Sequence, residues 1–248
     1  MNKNSMVLIL SFALSYVEAA FSSQSDMVLI ADPRVLAIAI VDNNEQLIDL
    51  RDQDVIAFGS SPEIPDNTDY TKMRTIVYEK LCSAQTLLPQ GYKLCVYECY
   101  RSLSLQQMLF DKKYDQLRIV YPDMPHNELF IETTKFVSPV INLDGSKNVP
   151  PHSTGSAVDV YLVDEQGQLV DMGINVADSI WLDEDGSQCR TDSDKISPEA
   201  KRHRKIMGEA LTAVGFINYP FEYWHWSYGD RYWAFHKHEA HAPYGSVS

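Results

Sequence analysis

The sequence predicts an α+β fold, one domain in which a central antiparallel sheet carries helices packed on it. Three observations predict it. Strand-like and helical stretches are mixed along the 248 residues without the regular βαβ alternation of a parallel sheet. No repeat and no Pro/Gly/Ser-rich linker divides the chain. Hydrophobic residues at 45% and charged residues at 22% are ordinary globular values, enough for one sizeable core.

Met1 to Ala20 reads as an export signal, with Lys3 in a polar start, an apolar run from Met6 to Leu14, and small residues around Val17-Glu18-Ala19-Ala20. The run is too short for a bilayer, which needs about 20 residues. The domain therefore spans 21–248, and the expected location is secreted or periplasmic, with no stable membrane insertion. Val35 to Val41 suits a buried strand, and Pro62 and Pro65 make Ser60 to Asn67 a loop. From Tyr70 to Leu88, Met73, Ile76, Val77, Lys80, Leu81, Ala84, Leu87 and Leu88 recur at helical spacing until Pro89-Gln90-Gly91. Tyr92 to Tyr100 follows as a strand.

Leu103 to Ile119 reads as a helix that Ser102 or Ser104 can cap, and His126 to Phe136 as a shorter one. After the Pro/Asn/Gly-rich loop Ser138 to Pro151, Ser156 to Leu162 is a strand. Ser197 caps a helix opened by Pro198 and stopped by Gly215. Short strands are expected near Phe216–Tyr219 and Trp224–Tyr228, and His236, His238 and His241 fall in a polar, solvated tail. The acidic run Asp183-Glu184-Asp185-Gly186 reads as a solvated loop, since no glutamate follows at calcium-loop spacing.

A net charge of −13 with scattered basic residues excludes a nucleic-acid binder, which gains affinity from clustered Lys and Arg. Cys82, Cys95, Cys99 and Cys189 are expected to form disulfides after export, in one of three connectivities; buried thiols and metal ligation are the alternatives.

Two settings carry chemistry. In Pro151-His152-Ser153-Thr154-Gly155-Ser156-Ala157-Val158-Asp159, a loop histidine precedes by seven residues an aspartate inside an apolar strand. That aspartate is costly to bury unless paired or bound to a cation. In Phe221-Glu222-Tyr223-Trp224-His225-Trp226, one acid and one histidine sit among four aromatics. Strand alternation would put Glu222 and His225 on opposite faces, so their cooperation demands a turn or bulge near Tyr223. Taken singly, each motif is equally open to a satisfied core histidine and to an aspartate paired with an arginine.

The pattern His152-x-x-Gly155-x-Ala157-x-Asp159 with Glu222-x-Trp224-His225 resembles the zinc D-alanyl-D-alanine peptidases, nearest the VanX-type D-alanyl-D-alanine dipeptidases. Their fold is shared with lysostaphin-type enzymes and hedgehog signalling domains. Glu98-Cys99-Tyr100-Arg101, Leu169-Val170-Asp171-Met172-Gly173 and Ala213-Val214-Gly215-Phe216 extend the resemblance over roughly 70–235. Pro150 stands where the family commonly has serine, and Ser102 where it has proline.

The resemblance implies a zinc site at the sheet with one ion per chain, held by His152, Asp159 and His225. It further implies Glu222 as general base, Arg101 at the scissile carbonyl, and Asp178 binding the substrate's amine. The implied reaction is hydrolysis of a dipeptide, D-alanyl-D-alanine first, by metal-activated water. A cell-wall D,D-carboxypeptidase or endopeptidase is the alternative within the superfamily. An inactive zinc-containing partner-binding protein is the alternative from another class.

Overall fold

The computed structural model describes residues 27–174 and 186–247. The expected export segment, Asp178 and the acidic run 183–185 lie outside the described residues. Among the described residues no helix is long and apolar enough to cross a membrane.

In chain order the elements are α1 (Pro33–Leu36), β1 (Ala39–Ile40), β2 (Leu47–Asp49), β3 (Ala57–Phe58), β4 (Lys72–Arg74), α2 (Thr75–Gln85), β5 (Lys93–Glu98), α3 (Leu103–Val120) and α4 (His126–Thr134). Then follow β6 (Ala157–Val163), α5 (Pro198–Ala213), β7 (Ile217–Asn218), β8 (His225–Ser227), α6 (Arg231–Lys237) and β9 (His241–Ala242). The central sheet has the order β3-β5-β6-β8-β7, antiparallel except at the β3–β5 edge, which is parallel.

The longer helices begin where the sequence supplies caps. Ser102 Oγ accepts the Leu105 amide at the start of α3, and Ser197 Oγ accepts that of Ala200 at the start of α5, where Pro198 takes the first turn. Alternation along β6 then divides the sheet. Val158, Val160 and Leu162 enter a core with Val96, Trp226, Val77 and Leu81 of α2, and Met207 and Leu211 of α5. Full burial of each such aliphatic side chain stabilises by about 1.5–3 kcal/mol. Asp159, on the other face, is thereby left for chemistry.

Two expectations are corrected. The run from Val35 to Val41 is not one strand: Asp32 caps the Arg34 amide and Pro33 opens α1, which turns Val35 into a small cluster with Tyr219 and Tyr232. The helix expected from Tyr70 begins at Thr75, because Lys72–Arg74 pairs with β2 and a strand buries Met73 as well as a helix would. The tail beyond Trp233 forms α6 and β9, which pairs with β1, and His238 and His241 are exposed on it as expected of a solvated tail.

The expected disulfides do not form: Cys82, Cys95, Cys99 and Cys189 are all thiols. Cys95 sits opposite Tyr161 in the sheet, and the Cys99 thiol lies 3.3 Å from the Ala157 carbonyl. Each is committed to the β5–β6 pairing, and burial pushes both thiols up in pKa.

Candidate active site

His152 stands on a turn of 3-10 helix, Pro151–Thr154, closed by Gly155 at φ +69°. A side chain at 155 would be strained by that φ and would meet Leu47 Cδ2 at 2.6 Å, so glycine is required there. Arg74 fixes the turn from β4: its amide donates to the Gly155 carbonyl and its Nε to the Thr154 carbonyl, both at 2.8 Å. The His152 Nδ1 lies 2.7 Å from the Cys99 carbonyl. A carbonyl only accepts, so this nitrogen carries a proton, which leaves Nε2 as the atom that can offer a lone pair to a metal.

Asp159 and His225 face each other in the β6–β8 register and share one face of the sheet. Glu222 is delivered to that face by the turn the sequence demanded: its amide donates to Tyr219, its carbonyl accepts the His225 amide, and Asn218 Nδ2 reaches the Glu222 and His225 carbonyls. One carboxylate oxygen of Glu222 lies 3.9 Å from His225 Nδ1.

The three donors converge. His152 Nε2 is 3.1 Å from His225 Nδ1 and 3.3 Å from Asp159 Oδ2, and His225 Nδ1 is 3.1 Å from Asp159 Oδ1. Ligands at about 2.0–2.2 Å on a tetrahedral ion stand roughly 3.3–3.6 Å apart, so these gaps fit the edges of one face of a zinc site. Two imidazole nitrogens and a carboxylate so close need a proton or a cation among them, and the donor set is one zinc accepts. Among the described residues this is the group of three such side chains that can hold a metal.

Burial alone would raise the pKa of Asp159, but His152 and His225 outweigh it and hold the carboxylate well below the usual range. Burial and the negative Asp159 push Glu222 well above its ordinary value, with His152, Arg101 and Lys113 opposing. Arg101 is 7% exposed. Its two terminal nitrogens donate to Glu98 and Gln106, while Nε has no hydrogen-bond partner among the described residues. Glu98 outweighs the burial and keeps the guanidinium charged.

Around these groups lies a cleft lined by Glu222, Arg101, His152, Asp159 and His225 and walled by Ile30, Phe136, Tyr219 and Trp224. The structure thus brings together five of the six residues singled out in the sequence; Asp178 lies outside the described residues. Sequence reading missed three others. Glu98 was visible in the motif before Arg101, but its role depends on a bulge between Val96 and Glu98 that turns it onto the face of Asp159. Gln106 is one turn into α3, where nothing distinguishes it from a surface glutamine. Glu63 lines the cleft from the proline-rich loop, where burial and Glu98 raise its pKa, and no periodicity marks it.

The family match and the curated relatives make this chain a peptidase. The chain belongs to the peptidase M15 family described as D-ala-D-ala dipeptidase, whose profile matches residues 70–242. It is similar to a D-alanyl-D-alanine dipeptidase of Synechocystis sp. (strain ATCC 27184 / PCC 6803 / Kazusa), 26% identical over 234 residues that cover 86% of this chain and 94% of the relative. A D-alanyl-D-alanine dipeptidase of Escherichia coli (strain K12) is 27% identical over 135 residues, 54% of each chain. Among solved structures, VanYB in complex with D-Alanine-D-Alanine is 15% identical at a TM-score of 0.39, covering 81% of this chain and 92% of that one.

Proposed function

We propose that this protein hydrolyses a free dipeptide, D-alanyl-D-alanine first, with one zinc ion held by His152, Asp159 and His225. The observation that carries the reading is the convergence of these three donors in the cleft that also holds Glu222 and Arg101. Bound there, zinc would supply Lewis acidity and make water acidic enough to lose a proton near neutral pH. Glu222, uncoordinated and beside the donors, takes that proton and passes it to the leaving amine. Arg101 lines the cleft and is held at two nitrogens by Glu98 and Gln106, which fixes its positive guanidinium to stabilise the oxyanion developing on the scissile carbonyl.

A base and an oxyanion donor in one cleft favour catalysis over a purely binding role, since a binder has no chemical need of either. The walls of Ile30, Phe136, Tyr219 and Trp224 close around the donors, which favours a short substrate. The substrate's amine is assigned to Asp178 by family resemblance. The secreted or periplasmic location rests on the signal-like segment 1–20.

The test is the zinc-loaded protein assayed against DD and LL dipeptides and against peptidoglycan stem peptides. Turnover of D-alanyl-D-alanine well above that of the others is expected. Preference for stem peptides would make it a carboxypeptidase or endopeptidase, and zinc binding without turnover of any of them a binding protein.

A further inference from the structure

His225 turns its Nδ1 toward His152 and Asp159, while its other nitrogen, Nε2, is buried and has no hydrogen-bond partner among the described residues. His152 differs, because its far nitrogen is held by the Cys99 carbonyl. A buried donor left unsatisfied costs about 1–3 kcal/mol. In metal-binding histidines the far N–H ordinarily goes to an acceptor that fixes the tautomer. The question is which group serves His225.

The other buried side-chain atoms close by in the chain that lack a hydrogen bond among the described residues include Ser227 Oγ and Asp230 Oδ2. The three needs are complementary: an N–H that donates, a carboxylate oxygen that accepts, and a hydroxyl that does both. The backbone brings them to one place. His225 and Ser227 are alternate residues of β8, opposite Asp159 and Ala157 respectively, so they share the face of the site. The chain then turns at Gly229, φ +74°, where a Cβ would meet the Tyr244 ring at 2.4 Å. Asp230 returns to cap α6: its Oδ1 accepts the Trp233 amide at 2.9 Å, which leaves Oδ2. Burial pushes the Asp230 carboxyl up, while the Trp233 amide, the Ser227 hydroxyl and the His225 imidazole pull the other way, so both side chains lie within its electrostatic reach.

We propose that Asp230 Oδ2, assisted by the Ser227 hydroxyl, accepts the Nε2–H of His225, directly or through one water, and thereby keeps Nδ1 bare for a metal. With the proton on Nδ1 instead, His225 would donate to Asp159 and be lost as a ligand. Asp230 is then a positioning residue, acting on zinc through His225, and its role rests on the reading of His152, Asp159 and His225 as a zinc site.

Asp230→Asn tests it, because Asn caps helices about as well as Asp and keeps the shape while removing the carboxylate. In competition with a chromogenic chelator, zinc affinity of the full chain should fall about 10–100-fold in this variant, and less in Ser227→Ala. Long-range ¹⁵N spectra of the zinc-loaded parent should show His225 protonated at Nε2. A folded Asp230→Asn protein with parental zinc affinity overturns the inference. If that variant does not fold, Ser227→Ala decides, and parental affinity with an unchanged tautomer overturns it. A parent that binds zinc no better than His152→Ala is a separate result, which removes the metal site itself.

Discussion

Glu222 lies three residues before His225 and lines the same cleft, but it stands outside the group of three converging donors. Its surroundings suit a base, because burial and the Asp159 charge both raise its affinity for a proton. Glu222→Gln keeps size and most hydrogen bonding while removing that affinity. Turnover should fall by about 10²–10⁴-fold with zinc content unchanged, measured by steady-state kinetics beside metal analysis. Parental turnover in that variant would exclude Glu222 as base. Arg101→Lys should be damaging too, since one flexible ammonium cannot meet Glu98 and Gln106 while keeping a donor for the substrate.

The elements hold the donors by two local devices. One is the turn between Tyr219 and His225, closed by backbone hydrogen bonds and by Asn218, which sets an acid and a histidine on one side of the sheet. The other is the Pro151–Thr154 turn, where Gly155 at φ +69° joins the His152 turn to the strand that carries Asp159. Gly155→Ala imposes the left-handed conformation on a residue with a side chain, which costs about 1–2 kcal/mol, and it also displaces Leu47. For a chain of this size that is roughly a 2–8 °C loss in Tm. Zinc affinity should fall with it, because the spacing of His152 and Asp159 is set there; a variant with parental Tm and zinc affinity would show that the turn accepts other residues.

Across the whole molecule, the donors come from three separate places: the Pro151–Thr154 turn, β6 and β8. An ion bound to all three ties together segments that sequence separates by up to 73 residues. Binding only the folded state, zinc at 100 times its Kd adds about 2.7 kcal/mol. Thermal unfolding should therefore shift downward by roughly 5–10 °C on chelation and recover on adding zinc. His225→Ala should be insensitive to both treatments. Equal sensitivity in that variant would place the stabilising ion elsewhere.

Much of this was written in the sequence. The caps at Ser102 and Ser197 announce α3 and α5, because a capping side chain acts on its own neighbours. The aspartate in an apolar strand and the Glu222–His225 spacing flag candidate residues, because burying charge without a partner is costly and a strand alternates strictly, but only the family resemblance joined them into one site. Residues that matter through distant partners were hidden. The bulge that turns Glu98 toward Arg101 exists only when β5 pairs with β6. The cysteines remain thiols because that same pairing commits Cys95 and Cys99 to neighbours other than each other. Glu63 enters the cleft, and Pro33–Leu36 leaves the strand pattern, by where loops and short turns settle on the finished sheet. Periodicity reports which face of an element is buried; what lies against that face is decided only when segments far apart in the chain meet.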